Sequence, residues 1–234
     1  VKALSCHINI ACETDPVIQQ ISSGVGFVLV PGPTGSSYTG TATLINVPET
    51  PELEPYLLTA NHLVASESEA SNTDVIWDYR STQCGTNDAP SFSQCPRSNG
   101  VELLATSDTL DITLIRLDSV PVGEYGRTYV GWDTRDPVIG ESVIGIHHPA
   151  NTHMRISYGR IQSIDQTTSV LDGGITLTFT NQTRAGWDDG VTEGGSSGSC
   201  LLFADGTYRI AGTLSNGPSQ TCLDPGPALN YDYY

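Results

Sequence analysis

Basic side chains are scarce in this sequence of 234 residues, which has one lysine, Lys2, and nine arginines against 26 acidic residues. The formal net charge is −16. Nucleic-acid binding requires a basic face that neutralises phosphates, so we expect no nucleic-acid partner. An acidic surface attracts cationic substrates over long range, although acidity is also common in proteins selected for solubility.

Long apolar runs and CxxC pairs are also missing. No stretch of about 18 consecutive apolar residues occurs, so the sequence predicts no membrane span. The six cysteines form no CxxC pair, which argues against zinc ribbons and thioredoxin-like redox sites. An even number of scattered cysteines is typical of disulfides in an oxidising compartment, although six cysteines allow 15 pairings. We therefore expect a secreted protein with three disulfides, from which any signal or pro-segment has been removed.

Turn-forming residues are abundant, with 24 Gly and 14 Pro, and they separate short segments rich in Val, Ile, Thr and Tyr. No long stretch has the apolar period of a helix. Asp205-Gly206, between two such segments, is typical of a hairpin turn. The predicted strands are 25–30, 39–47, 56–59, 75–79, 101–106, 112–117, 142–147, 155–164, 175–181, 200–203 and 208–215. The sequence therefore predicts an all-β sandwich or barrel, with polar surface loops over 66–74 and 82–100.

A glycine-rich serine block, Gly190-Val-Thr-Glu-Gly-Gly-Ser-Ser-Gly-Ser199, is the first candidate for chemistry. Glycines in a tight turn allow the backbone to approach a substrate closely and direct amide N–H groups at a developing oxyanion. The same composition also occurs in loops that are only flexible, so the block alone does not establish a nucleophile.

Two further segments supply a possible base and acid. Leu57-Leu-Thr-Ala-Asn-His62 ends an apolar strand in a histidine, which could act as a general base at a sheet rim. Asp111-Ile-Thr-Leu-Ile-Arg-Leu117 opens an alternating strand with an acid that could orient such a histidine. Each feature alone is common in structural positions, and the combination is what favours a serine hydrolase.

The chain order of these residues separates the possible folds. Gly194–Gly198 also fits the Gly-x-Ser-x-Gly turn of α/β-hydrolases with Ser196 as nucleophile, but that fold needs a histidine after the serine, and the last histidine is His153. A subtilisin order needs an Asp before His62, and Asp15 lies in a polar stretch without βα alternation. The order His, Asp, Ser fits a two-barrel protease of the chymotrypsin type.

A metal site is the alternative use of the remaining histidines. His147-His148 and His153 are close in sequence, but no HExxH or similar helical pattern accompanies them. We therefore expect neither a catalytic metal nor a cofactor.

At these residues the chain resembles the bacterial lysyl endopeptidases, secreted serine proteases of the chymotrypsin fold that cleave after lysine. The resemblance covers nearly the whole chain. It is carried by Cys6-His-Ile-Asn-Ile-Ala-Cys12, Leu57–His62, Asp111-Ile-Thr-Leu, Val130-Gly-Trp-Asp133, Ile146-His-His-Pro149, Gly190–Ser199 and the segment from Gly217 to Asp232-Tyr-Tyr.

The resemblance implies an all-β fold of two six-stranded antiparallel Greek-key barrels. We expect an amino-terminal arm over 1–20, a first barrel over 21–120 and a second barrel over 121–234 with the specificity pocket. The implied roles are general base, orienting acid and nucleophile for His62, Asp111 and Ser197; oxyanion-hole donors for Gly195 and Ser197; pocket carboxylate for Asp232; and further substrate-binding positions for Ser215, Asn216 and Gly217.

The resemblance also implies the bridges Cys6–Cys222 and Cys12–Cys84, and Cys95 and Cys200, which have no family counterpart, are paired by elimination. The chain departs from the family elsewhere. Where the family has another disulfide, this chain has Gly40 or a neighbour and Leu63; where it has a histidine leading into the pocket, this chain has Ser215; and a family tryptophan is missing near 169–174.

The single lysine is an independent hint about specificity, because a protease that cuts after lysine would degrade itself if it displayed many. A genomic preference for arginine would explain the scarcity equally well. The predicted function is a secreted, monomeric endopeptidase that acts on protein or peptide substrates after lysine. The alternatives are a protease of the same fold with glutamyl or broad preference, and an inactive protease-fold binding or toxin module.

Overall fold

Short antiparallel strands make up most of the regular structure in this computed structural model, which describes residues 3–32, 35–47, 52–172, 174–218, 222 and 228–234. The strands are β1 Ile8–Asn9, β2 Val25–Pro31, β3 Ser37–Leu44, β4 Tyr56–Thr59, β5 Asp74–Ile76, β6 Arg97–Ser107, β7 Ile112–Leu117, β8 Ser142–His147, β9 Arg155–Asp172, β10 Ile175–Asp189, β11 Cys200–Phe203, β12 Ile210–Thr213 and β13 Tyr231–Tyr233. The helices are α1 Pro16–Ser22 and α2 Glu67–Ala70, with 3₁₀ turns at Ile10–Cys12, Phe92–Gln94 and Pro149–Asn151.

The first six-stranded unit is a closed barrel in the order β2-β3-β4-β7-β6-β5. Its strands form because apolar and polar side chains alternate. In β7, Thr113, Ile115 and Leu117 are buried while the intervening residues are less so, which matches the two-residue period of a strand. Trp77 fills the interior with no exposed surface, and its indole N–H donates to Ser98 Oγ at 2.8 Å. The predicted all-β class and this first barrel are confirmed.

The second unit differs from the predicted closed barrel. It is a seven-stranded sheet in which β12-β11-β8-β9-β10-β13 form the main path and β1, from the amino-terminal arm, pairs with β9. Its two ends meet at one isolated bridge between Asn216 and Tyr233. There Ser215 N donates to Tyr233 O at 2.9 Å and Tyr233 N donates to Asn216 O at 2.8 Å. Since β13 has three residues and β12 ends at Thr213, no continuous ladder closes this unit among its described residues.

A shared apolar cluster joins the arm to both units. It includes Ile18 and Ile21 of α1, Ile45 after β3, and Ile144 and Ile156 of the second sheet, all 8% exposed or less. Each such side chain contributes roughly 1.5–3 kcal/mol on burial, so the arm is part of the core. Within the described residues, no helix is long and apolar enough to cross a membrane.

The helix α1 and the length of the β9–β10 hairpin were not predicted. Asp15 caps α1 by accepting from Val17 N at 2.8 Å, and Pro16 occupies the first helical position, so this Asp-Pro pair was a readable start signal. The outer part of the hairpin is exposed and lacks alternation, with Leu171 73% exposed. Its pairing is set by backbone ladders, which leave no apolar pattern in the sequence.

The cysteines form two disulfides rather than three among the described residues. Cys6–Cys222 and Cys12–Cys84 are present, and both anchor the arm. The predicted Cys95–Cys200 bridge is wrong, because both are free thiols in different clusters. Cys95 packs with Phe27 and Ile76 of the first barrel, whereas Cys200 belongs to the cluster that joins the arm to both units.

Candidate active site

Strand pairing brings His62 and Asp111 to the same end of the first barrel. In the antiparallel pair β4 and β7, Thr59 lies opposite Thr113, so the residues after β4 meet the residues before β7. Asp111 lies in the turn between β6 and β7 with φ +51°, a left-handed conformation that non-glycine residues seldom adopt. Its carboxylate is thereby turned toward His62.

Two hydrogen bonds join His62 to Asp111. Asp111 Oδ1 accepts from the His62 backbone N at 2.8 Å, and Oδ2 accepts from His62 Nδ1 at 2.7 Å. Because a carboxylate only accepts, the imidazole proton sits on Nδ1 and Nε2 is left as the basic nitrogen. The Asp111 side chain is fully buried while that of His62 is 29% exposed, so the ring can reach a substrate.

A third group, Ser215, completes the surroundings of Asp111. The Ser215 hydroxyl donates to Asp111 Oδ2 at 2.6 Å. Burial alone would raise the pKa of the Asp111 carboxyl, but the hydrogen bond and charge interaction with His62 and the hydrogen bond from Ser215 outweigh it. The pKa of Asp111 is therefore lowered, and the residue stays ionised beside the histidine.

The backbone around Ser197 packs against the segment that leads to His62. Gly198 has φ +78°, and a Cβ there would lie 2.3 Å from Thr59 Oγ1 and 2.9 Å from Ala60 N. Ser197 O accepts from Thr41 N at 2.8 Å, and Gly198 N donates to Leu214 O at 2.9 Å. The serine turn is thus fixed between β3, the end of β4 and the segment after β12.

The structure therefore brings the predicted His–Asp pair together directly and places the serine turn beside it. Within the described residues the Ser197 hydroxyl, which is half-buried, has no hydrogen-bond partner, and neither has His62 Nε2. The hydrogen bond between a nucleophilic serine and its base is often long before substrate binds and tightens in the complex.

The amide N–H groups of Gly195 and Ser197, on either side of Ser196, have no acceptor among the described residues. Their directions follow from the planar trans peptide, in which C=O and N–H point opposite ways. Gly194 O accepts from Ala150 N at 2.7 Å, so the Gly195 N–H points away from Ala150. Likewise Ser196 O accepts from Ser199 N at 3.0 Å, so the Ser197 N–H points away from Ser199. Neither N–H group is therefore directed at the segment that binds the preceding carbonyl.

Two buried side chains hold this loop and were not predicted as part of the site. The Ser196 hydroxyl lies 2.8 Å from His147 Nδ1, and His147 Nε2 lies 3.0 Å from Ser157 Oγ. Burial, and then the neighbouring histidines and Arg155, lower the pKa of His147 well below its usual value. His147 is therefore a neutral structural group, and in the described residues no group of three or more His, Cys, Asp or Glu side chains could hold a metal.

A cavity of about 420 Å³ adjoins Ser197. All three remaining predicted substrate-binding positions line it together with Asp232, namely Ser215, Asn216 and Gly217. Glu193 also lines it, and the sequence did not single out that residue. Ser215 has a second role there, since its hydroxyl binds Asp111.

The Asp232 carboxylate is buried, with 2% exposure, and is held in place. Its Oδ2 accepts from Trp187 Nε1 at 2.5 Å and from Thr192 Oγ1 at 2.6 Å. A Cβ on Gly217 would lie 2.1 Å from Asp232 Oδ1, so only glycine leaves room beside that oxygen. The Asp232 carboxylate is therefore fixed in the pocket, and a side chain at position 217 would block access to its Oδ1.

Fold and site together define the class: a two-unit, trypsin-like serine protease fold with a His–Asp pair beside a glycine-rich serine turn. Among solved structures, the active form of the Rv3671c protease from M. tuberculosis matches with a TM-score of 0.62 at 15% identity, covering 100% of this chain and 86% of that one. The HtrA-type protease AlgW with tripeptide matches with a TM-score of 0.59 at 15% identity, covering 92% of this chain and 57% of that one. These likenesses show the fold.

The family described as "Lysyl endopeptidase, C-terminal domain" matches residues 2–234, and the chain belongs to it. The chain is 30% identical to the Lysyl endopeptidase of Pseudomonas aeruginosa over 98% of its length and 48% of that protein. It is 31% identical to Secreted RxLR effector protein 73 of Plasmopara viticola over 76% of its length and 42% of that protein. The chain spans about half the length of these curated relatives or less.

Proposed function

We propose that this chain is a secreted serine endopeptidase that cleaves peptide bonds after lysine. The observation that carries the proposal is the buried Asp232 carboxylate in the cavity next to Ser197, combined with the His62–Asp111 pair. A lysine ammonium entering this cavity would pair with a carboxylate that Trp187 and Thr192 hold in place. A neutral side chain would bring no positive charge to that carboxylate, which favours lysine over uncharged residues.

The mechanism assigns one role to each group. Ser197 Oγ attacks the substrate carbonyl carbon while its proton passes to His62 Nε2, and Asp111 stabilises the resulting imidazolium. The carbonyl oxygen becomes an oxyanion that accepts from the N–H groups of Gly195 and Ser197. His62 then gives the proton to the leaving amine, the C–N bond breaks, and water hydrolyses the acyl-enzyme by the same route in reverse. This chemistry requires only the chain's own groups and water.

Two carboxylates favour lysine over an acidic residue at the cleaved position. Glu193 and Asp232 both line the cavity, so a substrate glutamate would meet like charge. The single lysine at position 2 and the net charge of −16 agree with a cationic substrate. The two disulfides suit an oxidising compartment, and we propose that the enzyme acts there as a monomer.

A non-catalytic role is the second candidate, because a similar protein is named a secreted effector. The test is to incubate the protein with denatured substrate proteins and map the new carboxyl termini by mass spectrometry, with Ser197→Ala as the matched control. We expect termini dominated by lysine from the unchanged protein and none from the variant. Equal cleavage by both would remove Ser197 as nucleophile, absence of cleavage would favour the effector role, and other termini would reject the lysine preference.

A further inference from the structure

A second cavity, of about 390 Å³, lies outside the catalytic pocket. Its described walls come from the amino-terminal arm and from the segment before and at the start of β9, with two further side chains: Ala3, Leu4, Ser5, His7, Thr152, His153, Arg155, Tyr79 and Asn87. The protein has 26 acidic residues, yet none of the described residues that line this cavity is an Asp or Glu. The described lining therefore carries one permanent positive charge, that of Arg155, and no carboxylate.

Arg155 is the permanent positive charge of the cavity. Within the described residues its guanidinium has no carboxylate within ion-pair distance, and its Nε is buried without an acceptor. The contrast on the same strand is Arg160, whose Nε contacts Asp188 Oδ2 at 2.8 Å. A buried donor without an acceptor is costly, so a ligand that accepts a hydrogen bond from Arg155 would stabilise the site.

His153 adds a second unsatisfied donor or acceptor to the same cavity. The residue is 7% exposed, and its Nε2 has no partner among the described residues. Burial and then the charge of Arg155 lower the pKa of His153 to about 4, against a smaller opposing effect of Asp88. The pKa of His7 is lowered mainly by burial, against its contact with Glu193, and Arg155 lowers it further. A negative charge in the cavity would offset the effect of Arg155 on both histidines.

We propose that this cavity binds a small tetrahedral oxyanion, of the class of inorganic phosphate or sulfate, through Arg155 and His153. A planar guanidinium presents paired donors that match two oxygens of such an ion, and an imidazole can donate to a third. The remaining charges nearby do not compete for these donors. Glu193 is bound by His7 Nε2 at 2.7 Å and by Leu4 N at 2.8 Å, while Asp88 accepts from Thr82 and Thr86.

The cavity walls continue into the serine loop. On one side His7 of the arm contacts Glu193, and on the other Ala150 N donates to Gly194 O at 2.7 Å. Asn151 also faces Gly195, where a Cβ would lie 2.9 Å from its Oδ1. A bound oxyanion would therefore brace both segments that hold the loop, which predicts added stability when the ion binds.

The test uses the Ser197→Ala protein, so that it does not depend on proteolytic activity or suffer from self-cleavage. Thermal unfolding and isothermal titration calorimetry are compared in sulfate, phosphate, acetate and chloride at matched ionic strength. At about ten times the dissociation constant, sulfate or phosphate should raise Tm by roughly 3 °C relative to chloride. Equal shifts with chloride would overturn the site, and equal shifts with acetate would overturn its preference for tetrahedral ions.

The variants locate the ion. Arg155→Gln should abolish the sulfate-specific shift, and His153→Gln should weaken sulfate binding several-fold. Arg160→Gln, on the same strand, should retain the full response. If Arg155→Gln is unstable, Arg155→Lys keeps the charge but removes the paired donors, and it should bind sulfate more weakly. Folded Arg155 variants that bind sulfate as tightly as the parent would overturn the assignment.

Discussion

The Ser215 hydroxyl donates a 2.6 Å hydrogen bond to Asp111 Oδ2, the same oxygen that accepts from His62 Nδ1. This contact gives Ser215 a function although the family pattern has a histidine at its position. One carboxylate oxygen of Asp111 thus accepts from both the His62 imidazole and a residue that lines the cavity beside Ser197.

Replacement of Ser215 by alanine should lower kcat more than it raises KM. The variant loses a hydrogen bond to a charged group, which is worth about 1.5 kcal/mol, or about tenfold in rate. Because that bond helps to lower the pKa of Asp111, its loss should raise the pH at which the Asp111 carboxylate becomes protonated and activity is lost. Steady-state kinetics across pH measure both effects. Ser215→Thr keeps the hydroxyl and should retain most activity; a loss equal to that of the alanine variant would refute the role.

Asp232→Asn should reduce the preference for lysine over an uncharged residue by roughly 100-fold, the scale of a buried charge left without its partner. The asparagine oxygen can still accept from Trp187 and Thr192, which leaves its amide group on the Oδ1 side, next to Gly217. An amide there would repel an ammonium. Paired peptide substrates measure the ratio of kcat/KM values. Glu193→Gln is the comparison variant and should reduce the ratio far less, because the Glu193 carboxylate is already bound by His7 and by Leu4 N. An unchanged ratio in Asp232→Asn would remove Asp232 from recognition.

The positions of His62 and Asp111 could be predicted because they flank strands with clear apolar patterns. Strands β4 and β7 pair in antiparallel fashion, so a residue after one meets a residue before the other. The serine turn was predictable from its glycines, which the structure places at φ +96° for Gly195 and +78° for Gly198. Local sequence was sufficient for these elements.

The supports of the site could not be predicted in this way. The contacts of Ser196 with His147 and of Glu193 with His7 join residues far apart in the chain, and no periodic pattern marks such pairs. The cysteine pairing by elimination failed for a related reason. An even count favours complete pairing, but only the fold shows that Cys95 and Cys200 lie in separate cores.

The two free cysteines should be unreactive in the folded protein and countable after unfolding. Cys95 is 7% exposed and Cys200 is 2% exposed. Burial raises the pKa of Cys95 to about 11 and that of Cys200 to about 12, so few thiolates form at neutral pH. A thiol reagent should detect almost none in native protein and two per chain in guanidinium without reductant. A count of zero after unfolding would show that Cys95 and Cys200 are disulfide-bonded after all.

Gly40→Ala should disturb the catalytic centre from a distance. A Cβ at Gly40 would lie 2.1 Å from Leu63 Cδ1 and 3.0 Å from Ser197 O, so the added methyl pushes on the neighbour of His62 and on the serine backbone. We expect a loss of about 1–3 kcal/mol in unfolding free energy, as for other overpacked cores, and reduced kcat. Leu63→Ala in the same chain should restore part of both. Urea unfolding and kinetics of the two single variants and the double variant measure the coupling, and simple additivity would contradict direct contact.

The unfolding free energy should begin to fall at pH values well above the pKa values of ordinary carboxylates. Burial lowers the pKa of His148 to about 3 and that of His153 to about 4, whereas each is near 6.5 in the unfolded chain. Between pH 6.5 and pH 4 the unfolded state therefore binds more protons, so the unfolding free energy falls as pH falls, by about 1.4 kcal/mol per pH unit for each histidine. Urea unfolding of Ser197→Ala at pH 7, 6 and 5 measures the slope. His153→Gln should remove one histidine's share of it, and a flat profile over this window would show that these histidines do not resist protonation.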